Sequence, residues 1–218
     1  MPDKLRVNEI FTSIQGESTY CGCLCFFIRL AGCNLSCSYC DTVYASAFSD
    51  GNEMEIGSLT EKAAEENVKL VEITGGEPLL QEKTPLLCGR LLDKGFKVLV
   101  ETNGSLPVSV LPHGTVRIID CKTPSSGEAG STDFNNFSVI NGNDEIKFVI
   151  SDYGDFKYSV EMIRKYSLDS KTEKILFSPV YGKLNPEELA AWIISERPPA
   201  RLQIQMHKII WGPDKRGV

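Results

Sequence analysis

Residues Phe27–Thr42 read FIRLAGCNLSCSYCDT. The stretch closes an apolar run, LCFFIRL (Leu24–Leu30), with the composition of a strand. Three cysteines, Cys33, Cys37 and Cys40, follow at once as C-x3-C-x2-C. Thiolates at short spacing bind soft metals. A closed tetrahedral site needs four ligands, and no histidine or fourth cysteine follows nearby. One reading is a zinc half-site completed from Cys21, Cys23, Cys25, Cys88, Cys121 or His113. A zinc ribbon brings a second C-x2-C hairpin, and there is none. The other, stronger reading is a four-iron, four-sulfur cluster on three thiolates, with one iron left open to an outside ligand.

Downstream, short β-rich runs alternate with helical patterns. VKLVEIT ends at GGEP, KVLVET at NGS, TVRIID at CKTPSSG, and KILFS at PVYG. EIKFVIS is a further strand, and RLQIQMH reads as a last one ending at His207. Between them TEKAAEEN reads as a helix capped by Thr60, and KTPLLCGRLLDK as one stopped by Gly95. FKYSVEMIRKYS is amphipathic, and NPEELAAWIISE starts with an Asn cap and Pro at the first helical position. This alternation predicts an α/β fold with a parallel sheet of about six core strands. A full eight-fold barrel takes about 250 residues, and the chain has 218. A partial, incomplete β/α barrel therefore fits, as one domain over residues 1–218. Ligands of such folds sit at the carboxyl ends of the strands. Those ends carry Arg29 and the cysteine loop, Thr74 to Glu77, Glu101 to Asn103, Cys121-Lys122, Ser151, Ser178 and His207.

Apolar content of 42% supports a real core, and the net charge of −6 argues against a nucleic-acid surface. The N-terminus has no apolar signal region and no run approaches the ~20 residues of a membrane span. A cytoplasmic protein with reduced thiols is expected. Six of the eight cysteines lie between Cys21 and Cys40, which points to metal ligation more than to disulfides.

C-x3-C-x2-C after a strand in a βα-repeat chain resembles the radical S-adenosylmethionine (SAM) superfamily. There the amino and carboxylate groups of SAM cap the open iron, and one electron cleaves SAM to a 5'-deoxyadenosyl radical. TGGEP (Thr74–Pro78) resembles the superfamily's glycine-rich motif, which contacts the SAM amino group. Five segments narrow the resemblance: EIFTSIQGE (Glu9–Glu17), FIRLAGCNLSCSYCDT, EITGGEPLLQ (Glu72–Gln81), VETNGS (Val100–Ser105) and QMHKIIWG (Gln205–Gly212). Together they are similar to the 7-carboxy-7-deazaguanine synthase family. The resemblance implies contraction of 6-carboxy-5,6,7,8-tetrahydropterin to 7-carboxy-7-deazaguanine with release of ammonia, on the route to queuosine and other 7-deazapurines. It implies SAM used as a regenerated cofactor, Mg2+, an external electron donor such as flavodoxin or ferredoxin, and a homodimer.

Residue by residue, the resemblance places Ile14, Gln15, Gly16, Glu17, Arg29, Thr74 and His207 against the pterin. Glu17 suits its guanidine-like edge, and the planar fork of Arg29 suits its carboxylate. Thr42 is implied as the magnesium ligand; from the residues alone it reads as a helix cap. Ser38, Tyr39, Cys40, Gly76, Glu77, Glu101 and Asn103 are implied around SAM. So, more loosely, are Lys122, Thr123 and Ser125, and Phe177, Ser178, Pro179 and Val180. Val218 lies eleven residues beyond His207, and an extended segment of that length spans roughly 35 Å. The C-terminal tail is thus expected to close on the active site, as in some family members.

Other features read as structure. Cys21, Cys23 and Cys25 alternate, so one strand face would carry all three, as packing residues more than as an auxiliary cluster. Cys88 reads as core, and Trp192 as core or a dimer contact. Lys147, inside EIKFVI, either points into the barrel to meet a carboxylate or lies on a partly exposed face. Two rival functions remain at this level: a radical SAM activase that installs a glycyl radical on a partner protein, and a zinc-stabilised binding module.

Overall fold

The structure is a computed structural model and describes residues 3–218. Met1 and Pro2, part of the N-terminal reading, lie outside the described residues. The elements are β1 (Lys4–Ile14), β2 (Leu24–Leu30), β3 (Asn52–Glu55), α1 (Ile56–Glu65), β4 (Leu70–Gly75), α2 (Thr84–Asp93) and β5 (Lys97–Thr102). They continue with β6 (Val116–Asp120), β7 (Glu145–Ile150), α3 (Tyr153–Tyr166), β8 (Ile175–Pro179), α4 (Pro186–Glu196), β9 (Arg201–Leu202) and α5 (Met206–Trp211). One nine-stranded sheet runs in the order β3-β1-β2-β4-β5-β6-β7-β8-β9. From β2 to β9 every pairing is parallel, while β1 pairs antiparallel with both β2 and β3. The sheet does not close on itself, which is the partial barrel the chain length implied.

Strand side chains alternate between two faces. On β2, β4 and β5 the helix-facing positions are Phe26, Ile28, Leu30, Val71, Ile73, Val98 and Val100. They pack with Ile56, Leu59, Leu87 and Leu91 of α1 and α2. On β7 and β8, Ile146, Phe148, Ile150, Ile175 and Phe177 pack on Phe156, Val160 and Ile163 of α3 and Leu189 of α4. Fully burying one such side chain contributes about 1.5–3 kcal/mol. The opposite face points inward and changes along the strands. Near their amino ends it holds a small apolar cluster of Cys25, Phe27, Leu70, Leu99, Val116 and Ile118. Further along it carries Arg29, Thr74, Glu101, Asp120 and Lys147. The polar half of the interior is therefore the carboxyl half.

Several sequence expectations change. α1 starts at Ile56, a turn before Thr60, because Ile56 and Leu59 already face the sheet. Thr60 is no cap: it is buried and its hydroxyl donates to Ile56 O at 2.8 Å. RLQIQMH pairs as a strand only at Arg201–Leu202, and His207 sits in α5. Cys21 and Cys23 lie in the turn before β2, so only Cys25 occupies the strand and is buried. Asn185 and Pro186 do start α4, with Asn185 Oδ1 accepting from Glu187 N at 3.0 Å. Gly95 ends the α2 region at φ +85°. Trp192 packs on Phe156 and Tyr153, as a core residue does.

Candidate active site

The carboxyl ends of the strands surround a cavity of about 920 Å³. Cys33, Cys37 and Cys40 line it. Backbone bonds pin their loop at both ends: Cys33 N donates to Ser46 O at 2.8 Å, and Ser38 N to Ser126 O at 3.0 Å. Burial pushes the Cys37 thiol up, against the Lys122 ammonium, which pulls it down. None of the other candidate ligands, Cys21, Cys23, Cys25, Cys88, Cys121 and His113, lines the cavity. Cys25, Cys88 and Cys121 are buried in the packed clusters. Among the described residues no three His, Cys, Asp or Glu side chains converge as ligands of one metal ion. A four-iron cluster places each thiolate on a different iron, so its cysteines need no common point. Three thiols around a roomy cavity, with no fourth cysteine among the described residues that line it, fit that group.

The glycine-rich segment packs directly under the loop. Gly76 N donates to Leu30 O at 3.1 Å, and Glu77 N to Gly32 O at 2.7 Å. A Cβ on Gly75 would stand 2.1 Å from Leu30 O, and one on Gly76 2.2 Å from Gly32 O. Only glycine permits this approach. Glu77, expected at the cofactor, is instead fully buried behind the cavity wall. Its carboxylate accepts from Leu79 N at 2.9 Å, Thr102 Oγ1 at 2.8 Å and Asn103 N at 2.7 Å. It ties the ends of β4 and β5 together. Asn103 does reach the cavity, with Nδ2 3.9 Å from Cys33 Sγ and 3.0 Å from Asn34 Oδ1.

Lys147 takes the inward alternative. Its ammonium stands 2.9 Å from Glu17 Oε2 and also pairs with Glu101. Thr74 Oγ1 donates to Glu101 Oε2 at 3.4 Å, and Gln205 Nε2 to Glu17 Oε1 at 2.8 Å. Burial acts to raise the Glu17 carboxyl, but Lys147, His207 and Gln205 together hold it below its ordinary range. Glu72, bonded by Gln15 Nε2, is pushed well above that range by burial and then by Glu101 and Glu17. Arg29 lines the cavity, with Nε donating to Glu9 Oε1 at 2.8 Å. His207 packs against Gly16, where a Cβ would lie 2.3 Å from its Nδ1, and Met206 N donates to Gly16 O at 2.9 Å. Burial pulls the His207 imidazole below its ordinary pKa.

Of the expected residues, Ile14, Gln15, Gly16, Glu17, Arg29, Thr42, Thr74, Gly76, Glu101, Asn103, Lys122, Val180, His207 and Val218 line the cavity, as does Tyr39. Ser38, Thr123, Ser125, Phe177, Ser178 and Pro179 do not. Phe177 is core, edge-on to Phe148 and Phe156. Ser38 Oγ donates to Ser125 O at 2.7 Å, and Ser125 Oγ to Asp152 Oδ2 at 3.0 Å, so both hold loops together. Thr123 is buried, its hydroxyl donating to Val149 O at 2.9 Å. Sequence reasoning missed Asp41, Tyr44, Glu72, Asp120, Gln205 and Lys208 in the lining. Lys208 pairs with Asp41 at 2.5 Å, and Lys122 with Asp120 at 2.7 Å. Parallel register alone could have given one of these, because Asp120 sits directly opposite Lys147.

A three-thiol loop at the carboxyl end of an open parallel barrel defines a radical SAM protein. The family model described as "Radical SAM superfamily" matches residues 27–193. With that membership come the 4Fe-4S cluster and SAM. A 7-carboxy-7-deazaguanine synthase of Koribacter versatilis is 41% identical, covering 98% of this chain and all of that one. Another, of Chlorobaculum tepidum, is 42% identical, covering 98% and 97%. Within the superfamily, the chain belongs to the 7-carboxy-7-deazaguanine synthase family. The crystal structure of QueE from Escherichia coli has the same fold, at a TM-score of 0.72 and 22% identity over 94% of this chain and 95% of that one. The zinc module and the glycyl-radical activase give way to this membership.

Proposed function

We propose that this chain contracts 6-carboxy-5,6,7,8-tetrahydropterin to 7-carboxy-7-deazaguanine with release of ammonia. One observation carries the reading: five segments, spread from Glu9 to Gly212, contribute to the walls of one cavity. The bound cluster and SAM supply a carbon-centred radical able to take hydrogen from the substrate. The chain's own residues do the rest. The guanidinium of Arg29 grips the substrate carboxylate. The Glu17 carboxylate accepts from the pterin's amino and ring N–H groups, and Gln15, Gly16, Thr74 and His207 frame the same ring. Burial and the neighbouring Glu101 and Glu17 favour the protonated form of Glu72, which accepts from Gln15 Nε2. Tyr39, Gly76, Asn103, Glu101 and Lys122 face the cofactor end. Thr42, beside Asp41, holds Mg2+ together with the substrate carboxylate, since magnesium takes few protein ligands and fills its shell with water. The terminal segment through Val218 closes over the ring. The whole chain works as one radical SAM domain, in the cytoplasm, as a homodimer reduced by a flavodoxin or ferredoxin.

The test is anaerobic reconstitution with iron and sulfide, then incubation with SAM, a reductant, Mg2+ and the carboxypterin. Formation of the deazaguanine acid with release of ammonia supports the reading. Reductive cleavage of SAM with no pterin-derived product refutes it. Cys33→Ala serves as control and is expected to lose bound iron and all turnover.

A further inference from the structure

Arg216 lies in the terminal segment, and its guanidinium carbon stands 3.7 Å from the centroid of the Tyr44 ring. Tyr44 occupies the short turn Val43–Ala45, directly after the cysteine loop. That turn is fixed: Asn8 Nδ2 donates to Tyr44 O at 3.1 Å, and Gly32 N to Ala45 O at 2.9 Å. The Tyr44 hydroxyl donates to Glu9 Oε1 at 3.1 Å. The same oxygen accepts from Arg29 Nε at 2.8 Å, and the Arg29 guanidinium carbon stands 5.8 Å from the Tyr44 ring centroid. One phenol thus meets two guanidinium groups, one on the substrate wall and one on the tail.

We propose that Tyr44 is a positioning residue that couples docking of the terminal segment to the setting of Arg29, so that carboxylated substrates are gripped when Arg216 is stacked. The proposal rests on the reading of Arg29 as receptor for the substrate carboxylate. Its physics has two separable parts. The ring face attracts the Arg216 cation. The hydroxyl shares the Glu9 oxygen with Arg29 and so fixes the rotamer of the carboxylate that orients the guanidinium. Tyr44→Phe keeps the first part and loses the second. Tyr44→Leu loses both. Arg216→Ala loses only the first and lies on an exposed segment.

Two readouts on the reconstituted full chain separate these parts. Trypsin cleavage after Lys215, followed by intact mass, is expected to quicken by about 2- to 30-fold in Tyr44→Leu and Arg216→Ala. In Tyr44→Phe it is expected to match the parent. KM for the carboxypterin is expected to rise in all three, by about 2- to 10-fold in Tyr44→Phe, with kcat held. Binding of the matching tetrahydropterin without its carboxylate is expected to be unchanged in Tyr44→Phe, which keeps the terminal segment docked. Equal trypsin rates in all four proteins overturn the clasp. An equal loss of affinity in Tyr44→Phe for the pterin with and without its carboxylate overturns the coupling to Arg29. Should the parent convert no carboxypterin, the proposed function fails, while the trypsin comparison still decides the clasp.

Discussion

Replacing Lys147 by methionine removes the cation that pairs directly with Glu17 and Glu101, beside a third inward carboxyl, Glu72. Only 6% of the Lys147 side chain is accessible, against 18% for Glu17 and 25% for Glu101, so water replaces the ammonium poorly. Breaking a buried ion pair by deleting one partner costs about 3–5 kcal/mol. In a chain of this size each kcal/mol moves Tm by about 2–4 °C, so Tm is expected to fall by roughly 6–20 °C. The pH dependence gives a second, sharper signature. In the parent, Glu17 sits below its unfolded value of 4.5. The stability it contributes is fully present above that value and is lost as pH falls through the lower folded one. Without the ammonium, the largest influence left on Glu17 is burial, which raises it. The variant then gains stability as the carboxyl protonates, so its deficit is widest at neutral pH and narrows toward about pH 5. Anaerobic thermal unfolding followed by circular dichroism, from about pH 5 to pH 8, reads both. Adding Glu17→Gln and Glu101→Gln to Lys147→Met is expected to recover most of the loss, because neutral groups carry no ionic desolvation cost. An unchanged Tm, or a deficit constant across that pH range, would refute the pairing.

Arg29→Ala is expected to retain the cluster absorbance and weaken binding of the carboxypterin by about 10- to 150-fold, the worth of a hydrogen bond to a charged group. Calorimetric titration of the reconstituted protein measures it, and unchanged affinity would remove Arg29 from the substrate site. Gly16→Ala places a methyl 2.3 Å from His207 Nδ1, which must move the imidazole and the start of α5; KM is expected to rise with little change in Tm. Burial holds the His207 pKa below its ordinary 6.5, so the neutral imidazole and whatever it binds are retained above 6.5 and lost as pH falls through the lower folded value. KM is therefore expected to stay flat from about pH 7 to pH 8 and to climb only as pH falls below 6.5, a climb that His207→Asn abolishes.

The parallel strands were legible because their residues are buried on both faces and read as unbroken apolar runs. LVEITG carries Glu72, KVLVET carries Glu101 besides Lys97 at its exposed start, and EIKFVI carries Glu145 and Lys147. Alternation sends Glu72, Glu101 and Lys147 toward the interior, so these intruding charges were themselves the site signal. What the sequence could not supply was which carboxylate meets which cation, since Lys147 and Glu17 are 130 residues apart. The segment around His207 misled for a related reason. RLQIQMH alternates as a strand does, but it pairs with β8 only through Leu176 and Phe177. Gln203 N still donates to Phe177 O at 2.9 Å, and then Met206 N turns to Gly16 O instead of to the sheet. β8 ends at Pro179, which has no N–H to extend a ladder. A long-range contact to Gly16, invisible to local pattern, converts the end of the apparent strand into the start of a helix.

That contact also explains why the cavity has walls on a side the barrel leaves open. The sheet stops after β9, a two-residue strand, and among the described residues no further parallel strand covers the site. The gap is filled by the turn at Gln15–Glu17, α5 and the terminal segment, held to one another by Met206 N on Gly16 O, Gln205 on Glu17 and Lys208 on Asp41. Each of those bonds joins two segments that both lie outside the strands. On the proposed function, the strand ends set the cofactor end, while the pterin end depends on a few polar bonds between separate segments. Substitutions at Gly16 or Gln205 should therefore change affinity for the pterin before they change the cluster, whereas loss of the Glu77 brace should disturb the cluster loop first.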